Sequence, residues 1–405
     1  MSKDTVTEKL YTLSTGDEVY RYDKSITIFF KGKRKVLSTS VFNGGYHENY
    51  TAVFNHDAKQ GSGMPCEMLA PTYTEHMQIL SRRLGLDPDM VTGMGTAADM
   101  ENAAIETLSY ENLTVTAIVT GGIETNGGRV GDPATFFKPL EKPDRAGTIN
   151  IMLVLDTDMP QGTLARALVT CTEAKTAAIQ ELLEGSKYSN GIATGSGTDT
   201  TIVVANSESP LYLEGAGKHS KLGELIGRTV KQAVKEALRK QSGLCPTLQH
   251  NALKRLQRFG VTKATLWEKY LASKKLQYAV QQGKPAGQDM VPDKEIKPRT
   301  GINSGDGPIR EKILLKPEFL AKAEALAKED AMLTYTSLYV HLLDQFLWGL
   351  LKEEETKKGA ESMLRLLAEG YHCEPVEIKE KISPDALTAA WQQLFLKILD
   401  LRGRE

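Results

Sequence analysis

Small hydroxyl side chains alternate with glycine over residues 191–201, which have the sequence GIATGSGTDTT. Ser196, Thr198 and Asp199 lie in this segment, directly before a predicted strand. Such a loop can supply a hydroxyl that attacks or positions a substrate, together with backbone donors for an oxyanion. It is not the nucleophile elbow of the α/β-hydrolases, because a strand rather than a helix follows it. The alternative is a Ser/Asx turn that only leads into the strand.

A lysine lies on the apolar face of a helix predicted over 162–183. Lys175 shares this face with Cys171 and Ala178, whereas Glu173 points to the far side. Lysine is rarely buried unless it is paired. Desolvation would favour the neutral amine, which could act as a base or an amine donor. The alternatives are a lysine whose ammonium reaches solvent and a lysine bridged to a structural carboxylate.

A histidine precedes the helix predicted over 221–240 and follows the sequence GAGK. Ser220 is expected to cap this helix, which places His219 beside the positive end of the helix dipole. That position favours the neutral imidazole that a general base requires. The glycines could equally hold an anion such as phosphate or carboxylate at the helix N-terminus. The alternative is a structural histidine near a cap.

Two earlier loops combine glycine with polar side chains. The first contains Asn43, Gly44 and Gly45, which could approach a ligand or simply form a turn between strands. The second, 120–133, is too long for a tight hairpin. It is not a phosphate-binding P-loop, because Gly128 and Arg129 stand where Lys and Ser/Thr are required. Its candidates for substrate binding are Glu124, Asn126, Arg129 and Asp132. The last two, three residues apart, could instead pair and hold the loop in place.

Strands and helices must position these segments. Strands are predicted over 26–30, 35–41, 104–108, 113–120, 148–155 and 200–205, and helices over 72–84, 162–183 and 221–240. This mixture predicts an α/β (α+β) fold in which a mixed β-sheet packs with helices. Beyond about residue 240 the periodicity is helical, with helices predicted over 247–259, 263–282, 310–328, 333–351, 359–369 and 383–401. We therefore divide the chain into an α/β domain over 1–240 and an all-helical region over 241–405, with a Pro- and Gly-rich linker near 283–308.

The composition argues against several classes of protein. Fifty Lys and Arg residues stand against 51 Asp and Glu residues, so there is no basic field for nucleic acid or an anionic membrane. No apolar run approaches the roughly 20 residues of a spanning helix, and the first residues lack the apolar core of a secretory signal. The four cysteines form no CxxC pair. We therefore expect a cytoplasmic protein without nucleic-acid or membrane partners. No pattern predicts a cofactor, and metal dependence stays open.

The candidate segments, taken in order, resemble the adenosylcobinamide amidohydrolase family of corrinoid salvage. The matching stretches are 36–39 (VLST), 43–45 (NGG), 93–100 (GMGTAADM), 120–122 (TGG), Asn126, Arg129, 131–133 (GDP), 147–150 (GTIN), 172–176 (TEAKT), 193–195 (ATG), 197–199 (GTD) and 219–224 (HSKLGE). Each motif alone is weak, but the ordered series is specific. It covers about residues 25–240.

The resemblance implies hydrolysis of the amide that joins aminopropanol to a propionyl side chain of the corrin ring. Adenosylcobyric acid and 1-amino-2-propanol would be the products, and the corrinoid is then substrate rather than cofactor. The catalytic candidates are Glu173, Lys175, Ser196, Thr198, Asp199 and His219. Whether a side chain or a water attacks is left open. Alternatives are a corrinoid-binding protein without turnover, or a bifunctional enzyme whose C-terminal region acts on α-ribazole phosphate. The C-terminal region could also mediate a homodimer or cover the substrate.

Overall fold

The computed structural model describes residues 6–59, 68–134, 137, 147–281 and 314–402. The chain divides into two compact units, Met1–Gln249 and His250–Glu405. Within the described residues, no helix has both the length and the apolar character that crossing a membrane requires.

The first unit contains two β-sheets and a short ribbon. Its strands are β1 (Val6–Thr12), β2 (Glu18–Tyr22), β3 (Ser25–Phe29), β4 (Arg34–Ser38), β5 (Gly45–His47), β6 (Ala52–Asp57), β7 (Val91–Thr96), β8 (Ala104–Tyr110), β9 (Leu113–Gly122), β10 (Gly127–Gly128), β11 (Thr148–Leu155), β12 (Gly195–Ser196) and β13 (Thr200–Asn206). Sheet A has the order β1-β2-β3-β6-β7, and only β6 and β7 are parallel. Sheet B has the order β5-β4-β13-β11-β9-β8, and only β11 and β13 are parallel. β10 pairs with β12 outside both sheets.

Helices cover the outer faces of the two sheets, giving four layers. They are α1 (Tyr73–Arg83), α2 (Gln161–Glu181) and α3 (Lys221–Ser242), and the short α4 (Pro246–Gln249) follows α3. The middle core joins sheet A to sheet B through side chains such as Ile28, Met94, Met152 and Ile202. α1 packs on the outer face of sheet A, and α2 and α3 pack on that of sheet B. Three apolar cores therefore hold this unit together.

The fold class predicted from the sequence is confirmed, but two sheets replace the single mixed sheet that was expected. The six predicted strands correspond to β3, β4, β8, β9, β11 and β13. β6 was missed because all its residues are buried, so it lacks the alternation of a half-exposed strand. Its neighbour β7 contains Gly93, where a Cβ would lie 2.3 Å from the Phe54 ring. Glycine in a strand marks such a close approach, but by itself it argues against a strand.

One crossover determines where the functional residues meet. α2 connects the parallel neighbours β11 and β13, so it runs back over them in the opposite direction. Its C-terminal half lies over the ends at which the two strands begin. The residues just before Thr148 and Thr200 therefore meet beneath that half of α2.

The second unit contains helices and no strand among its described residues, as the sequence predicts. The helices are α5 (Ala252–Leu256), α6 (Lys263–Gln281), α7 (Lys316–Ala327), α8 (Asp330–Leu347), α9 (Glu353–Gly370) and α10 (Pro384–Arg402). Trp391 and Phe395 of α10 belong to its core, with Tyr339 and Phe319 from two other helices.

The predicted helix 247–259 is interrupted at Asn251. The backbone of Asn251 is extended, and its side chain accepts hydrogen bonds from the amide of Leu253 (2.9 Å) and from that of Lys254 (3.4 Å). A capping side chain of this kind begins a new helix. The predicted linker 283–308 lies outside the described residues.

Candidate active site

A buried ion pair lies beneath the second half of α2. Lys175 Nζ donates to Asp199 Oδ2, and the two side chains are only 11% and 12% exposed. Cys171, one turn earlier, is fully buried, and burial raises the pKa of its thiol to about 12. Lys175 therefore lies on the apolar face, as predicted, and is bridged to a carboxylate. The segment beside the pair requires glycine, because a Cβ at Gly195 would lie 2.3 Å from Asp199 Oδ2 and 2.8 Å from Lys175 Nζ.

The Asp199 carboxylate accepts three further hydrogen bonds. Its Oδ1 accepts from Ser196 Oγ at 2.7 Å and from the Ile149 amide at 2.8 Å, and its Oδ2 accepts from the Ser196 amide at 3.0 Å. A buried charge is tolerated when it is paired and hydrogen-bonded in this way. These contacts hold the carboxylate rigidly against the Ser196 hydroxyl, which is the arrangement of a nucleophile beside a base.

The carbonyl oxygen of Gly147 contacts three polar side chains on the other side of the 196–199 loop. It accepts from Thr198 Oγ1 at 2.9 Å and from Asn126 Nδ2 at 2.5 Å, and it lies 3.3 Å from Ser196 Oγ. The Ser196 hydroxyl has one proton, and its shorter contact is with Asp199. The second contact therefore leaves the hydroxyl within reach of an alternative acceptor if the carboxylate becomes protonated.

Of these residues, Asn126, Lys175, Ser196 and Thr198 border a cavity of about 800 Å³. Its polar wall includes Asn126, Arg129, Asp132, Lys175, Ser196 and Thr198, and its apolar rim includes Val130, Pro133, Ala134 and Tyr188. A cavity of this volume can hold a drug-sized ligand. The structure thus brings together candidates from three segments that are far apart in the sequence.

The loop that carries Arg129 is held by Asp132, but not through the side-chain ion pair considered from the sequence. The Asp132 carboxylate accepts from the Arg129 amide at 2.7 Å and from Ser186 Oγ at 2.5 Å, while Arg129 Nη1 donates to the Ile192 carbonyl at 3.1 Å. Desolvation raises the pKa of Asp132, but hydrogen bonds from Ser186, Ser189 and the Arg129 amide outweigh it and hold the pKa below its usual value. The Asp132 carboxylate therefore stays ionised and holds residues 129–132 against Ser186.

Three other candidates do not line this cavity. Glu173 is exposed and pairs with Lys218 at 3.0 Å and Arg166 at 3.7 Å; the hydrogen bond from Lys218 lowers the pKa of its carboxyl. His219 is exposed beside Ser220, which caps α3 by accepting from the Gly223 amide, as predicted. Glu124 is also exposed. Glu173 and His219 therefore lie at the surface and are not partners of Ser196.

The first glycine loop is a turn. Asn43 has a positive φ of 49°, and its Nδ2 donates to the carbonyls of Pro88 (2.7 Å) and Val91 (2.8 Å). A Cβ at Gly44 would lie 2.0 Å from the Ser40 carbonyl oxygen, and Gly45 has a φ of 96°. These residues do not line the cavity. Their conformations account for the glycines without a ligand.

Two residues of the site were not singled out from the sequence. Gly147 supplies the carbonyl that orients Thr198, and Ile149 supplies an amide to Asp199. Both act through their backbone, so their side chains carried no signal of chemistry. The stretch 147–150 was noted as part of the family resemblance, and its last three residues as the start of a predicted strand, but not as part of a site. Among the described residues, no group of three or more His, Cys, Asp or Glu side chains could hold a metal ion.

The model of the adenosylcobinamide amidohydrolase family matches residues 10–246, more than half of the chain. An uncharacterized protein of Methanocaldococcus jannaschii is 32% identical over 240 residues, which cover 56% of this chain and 89% of that protein. A protein of Methanosarcina mazei named adenosylcobinamide amidohydrolase is 26% identical over 223 residues, 53% of this chain and 95% of that protein. The chain belongs to the adenosylcobinamide amidohydrolase family, and the resemblance inferred from its motifs is confirmed.

A solved structure shows a weaker likeness. The l-aminopeptidase d-ala-esterase/amidase of Ochrobactrum anthropi, described as a variant of the Ntn hydrolase fold, matches with a TM-score of 0.28 and 12% identity. The match covers 59% of this chain and 83% of that one. A likeness this low carries no argument about the fold or the reaction.

Proposed function

We propose that this member of the adenosylcobinamide amidohydrolase family cleaves the amide between aminopropanol and a propionyl side chain of adenosylcobinamide. The products are adenosylcobyric acid and 1-amino-2-propanol, and the role is salvage of incomplete corrinoids. The observation that carries the proposal is the contact of Ser196 with the buried Asp199–Lys175 pair, at the edge of a cavity and inside the family-matched residues.

The chemistry assigns one task to each of these three side chains. Ser196 Oγ attacks the amide carbon, and its proton passes to Asp199 Oδ1, which already accepts from it at 2.7 Å. The C–N bond then breaks, and the proton on Asp199 leaves with the amine. Water hydrolyses the resulting ester by the same route, with Asp199 as the base, and releases the carboxylic acid.

The charge of Lys175 has a separate use. Its ammonium borders the cavity beside Ser196, where negative charge develops on the amide oxygen during attack. A preorganised cation in a water-poor site stabilises such a charge more than solvent does. Thr198 and Asn126, both held by the Gly147 carbonyl, line the same wall and can hydrogen-bond to the amide arm. No further cofactor is needed for these steps, and the cobalt is part of the substrate.

The cavity accommodates the arm rather than the whole substrate. About 800 Å³ suits a drug-sized molecule, and an adenosylated corrinoid is larger. The macrocycle would therefore rest on the rim, where Val130 is 84% exposed and Tyr188 is 38% exposed. Arg129, with Nη1 on a backbone carbonyl, lies on the wall where it can bind amide oxygens of the corrin periphery.

The test is to incubate the purified protein with adenosylcobinamide and follow both products by mass spectrometry. Equimolar adenosylcobyric acid and 1-amino-2-propanol are expected. A changed visible spectrum with intact substrate mass would instead identify a corrinoid-binding protein. Quenching during turnover is expected to trap a corrinoyl ester on Ser196. Turnover without such an ester would assign the attack to water.

A further inference from the structure

A chain of buried hydrogen bonds crosses from sheet A to sheet B behind the candidate site. Asn55 of β6 is 2% exposed, and Thr120 of β9 and Asn150 of β11 are no more than 1% exposed. Asn55 Nδ2 donates to Thr120 Oγ1 at 2.7 Å. Asn150 Nδ2 donates to Asn55 Oδ1 at 2.8 Å and to the Gly95 carbonyl at 2.9 Å. Both hydrogens of the Asn150 amide are thereby used, so its orientation is determined.

The chain continues to the loop that carries the proposed nucleophile. Asn150 Oδ1 faces Thr148 Oγ1 at 3.1 Å, and the same hydroxyl lies 2.7 Å from the Thr198 carbonyl. Both neighbours are acceptors, so the Thr148 hydroxyl is the donor in each contact and shares its one proton between them. Its shorter contact is with Thr198, which stands between Ser196 and Asp199. The buried chain therefore ends on the backbone of the catalytic loop.

The polar character of this chain is not needed to join the sheets. The interface has an apolar core that includes Met94 and Met152, and a further buried polar contact lies between Thr92 Oγ1 and Ser38 Oγ at 3.1 Å. Burying polar groups costs free energy unless every one is hydrogen-bonded. The polar groups of this chain lie at the end of the sandwich where β11 begins. A satisfied polar network is more directional than apolar packing and defines a single geometry. None of its side chains lines the cavity.

We propose that Thr148 and Asn150 are positioning residues, which hold the Thr198 carbonyl and thereby keep Ser196 Oγ in line with the Asp199 carboxylate. This inference rests on the proposed hydrolysis. Loss of the Thr148 hydroxyl leaves the Thr198 carbonyl with only the longer contact from Thr200 Oγ1 at 3.4 Å, so the 196–199 loop relaxes and the hydroxyl–carboxylate contact lengthens. Misplacement of a reacting group by about 1 Å can cost up to about 100-fold in rate. The effect should fall on kcat, because none of these residues contacts the substrate.

The experiment compares two isosteric substitutions, one near each end of strand β11 in sheet B. Thr148→Val removes the hydroxyl beside the loop. Thr116→Val removes an equally buried hydroxyl near the far end of β11, where Thr116 pairs with Val154 and contacts Thr107 at 2.9 Å. We expect Thr148→Val to lower kcat by about tenfold with KM within about twofold of wild type. Thr116→Val should keep kcat, and Thr148→Ser should restore most of it.

Each result decides between the alternatives. Wild-type protein without turnover would overturn the proposed function and this inference together. Wild-type turnover that Thr148→Val retains, or loses no more than Thr116→Val does, would overturn the positioning alone. If Thr148→Val does not fold, Thr120→Val decides, since it breaks the same chain at the Asn55–Thr120 contact, three hydrogen bonds further from the loop. A lower kcat at unchanged KM supports the inference, and an unchanged kcat overturns it.

Discussion

α2 carries one member of each of two lysine–carboxylate pairs whose surroundings differ. Lys175 and Asp199 are nearly buried; Lys175 borders a cavity, and Asp199 accepts a hydrogen bond from the Ser196 hydroxyl. Lys218 and Glu173 lie at the surface, with side chains 61% and 43% exposed. Each pair joins a lysine to a carboxylate, and Lys175, Asp199 and Glu173 were catalytic candidates from the sequence, whereas Lys218 was not. Burial and added hydrogen bonds make the first pair a preorganised site, whereas solvent screens the second.

Replacement of Asp199 by Asn should give the largest difference in kcat between the two pairs. The amide keeps the shape of the side chain but removes the proton acceptor beside Ser196. We expect kcat to fall by at least about 100-fold, the effect of losing a general base, measured as release of 1-amino-2-propanol. Glu173→Gln makes the same chemical change in the surface pair and should leave kcat unaltered. Equal losses in both variants would end the distinction between the pairs.

The buried pair should contribute to the stability of the protein, whereas the surface pair should not. Lys175→Met leaves the Asp199 carboxylate buried without its counter-charge, and breaking a buried pair in this way costs about 3–5 kcal/mol. The matched variant Lys218→Met removes an exposed lysine, so its urea midpoint should equal that of wild type. Urea unfolding monitored by circular dichroism measures both. A wild-type midpoint for Lys175→Met would show that the buried pair contributes nothing to stability.

His56 is a buried histidine that does not line the cavity, so its replacement should change the pH dependence of stability and leave catalysis unaltered. Desolvation, with the nearby charge of His76, lowers the pKa of His56 to about 3. The unfolded chain takes up this proton near pH 6.5, so the free energy of unfolding falls as the pH falls from about 6.5 towards 3. Between pH 7 and pH 5 this one group should cost about 2 kcal/mol. His56→Gln should reduce the pH dependence by that amount, and the exposed His219→Gln should not.

The rim of the cavity should affect substrate binding rather than chemistry. Val130→Asp places a charge where the apolar macrocycle is proposed to rest, and the lost burial should raise KM for adenosylcobinamide by about tenfold. The propionamide of 1-amino-2-propanol contains the arm without the macrocycle, so its kinetics should not change. If KM rises equally for the small amide, Val130 contacts the arm instead.

The smallest effect is expected at His219, which the sequence suggested as a general base. It is exposed at the start of α3 and does not line the cavity. His219→Ala should therefore keep kcat within about twofold of wild type, since general-base removal would cost at least about 100-fold. A loss of about 100-fold would instead indicate that His219 acts as a general base, so that Asp199 would not be the only one.

Much of the fold was predictable, because its strongest elements carry local patterns. β11 and β13 are apolar runs bounded by polar or glycine-rich segments, and α2 and α3 show helical spacing of apolar residues. β6 and β7 were missed because complete burial and two glycines hide the strand pattern. The prediction also lacked β1 and β2, so it contained only β3 of sheet A, and the second sheet and the interface that contains Asn55 and Asn150 were not predicted.

The site divides in the same way. The sequence by itself determined that Lys175 lies on an apolar face, that Ser196 and Asp199 share one polar loop, and that Ser220 caps α3. These are relations within a few residues, and backbone geometry dictates them. Only the tertiary structure decided that Lys175 pairs with Asp199, that Gly147 orients Thr198, and that His219 and Glu173 stay at the surface. Those relations depend on the crossover of α2 over two parallel strands, which packing between distant segments selects and no local pattern encodes.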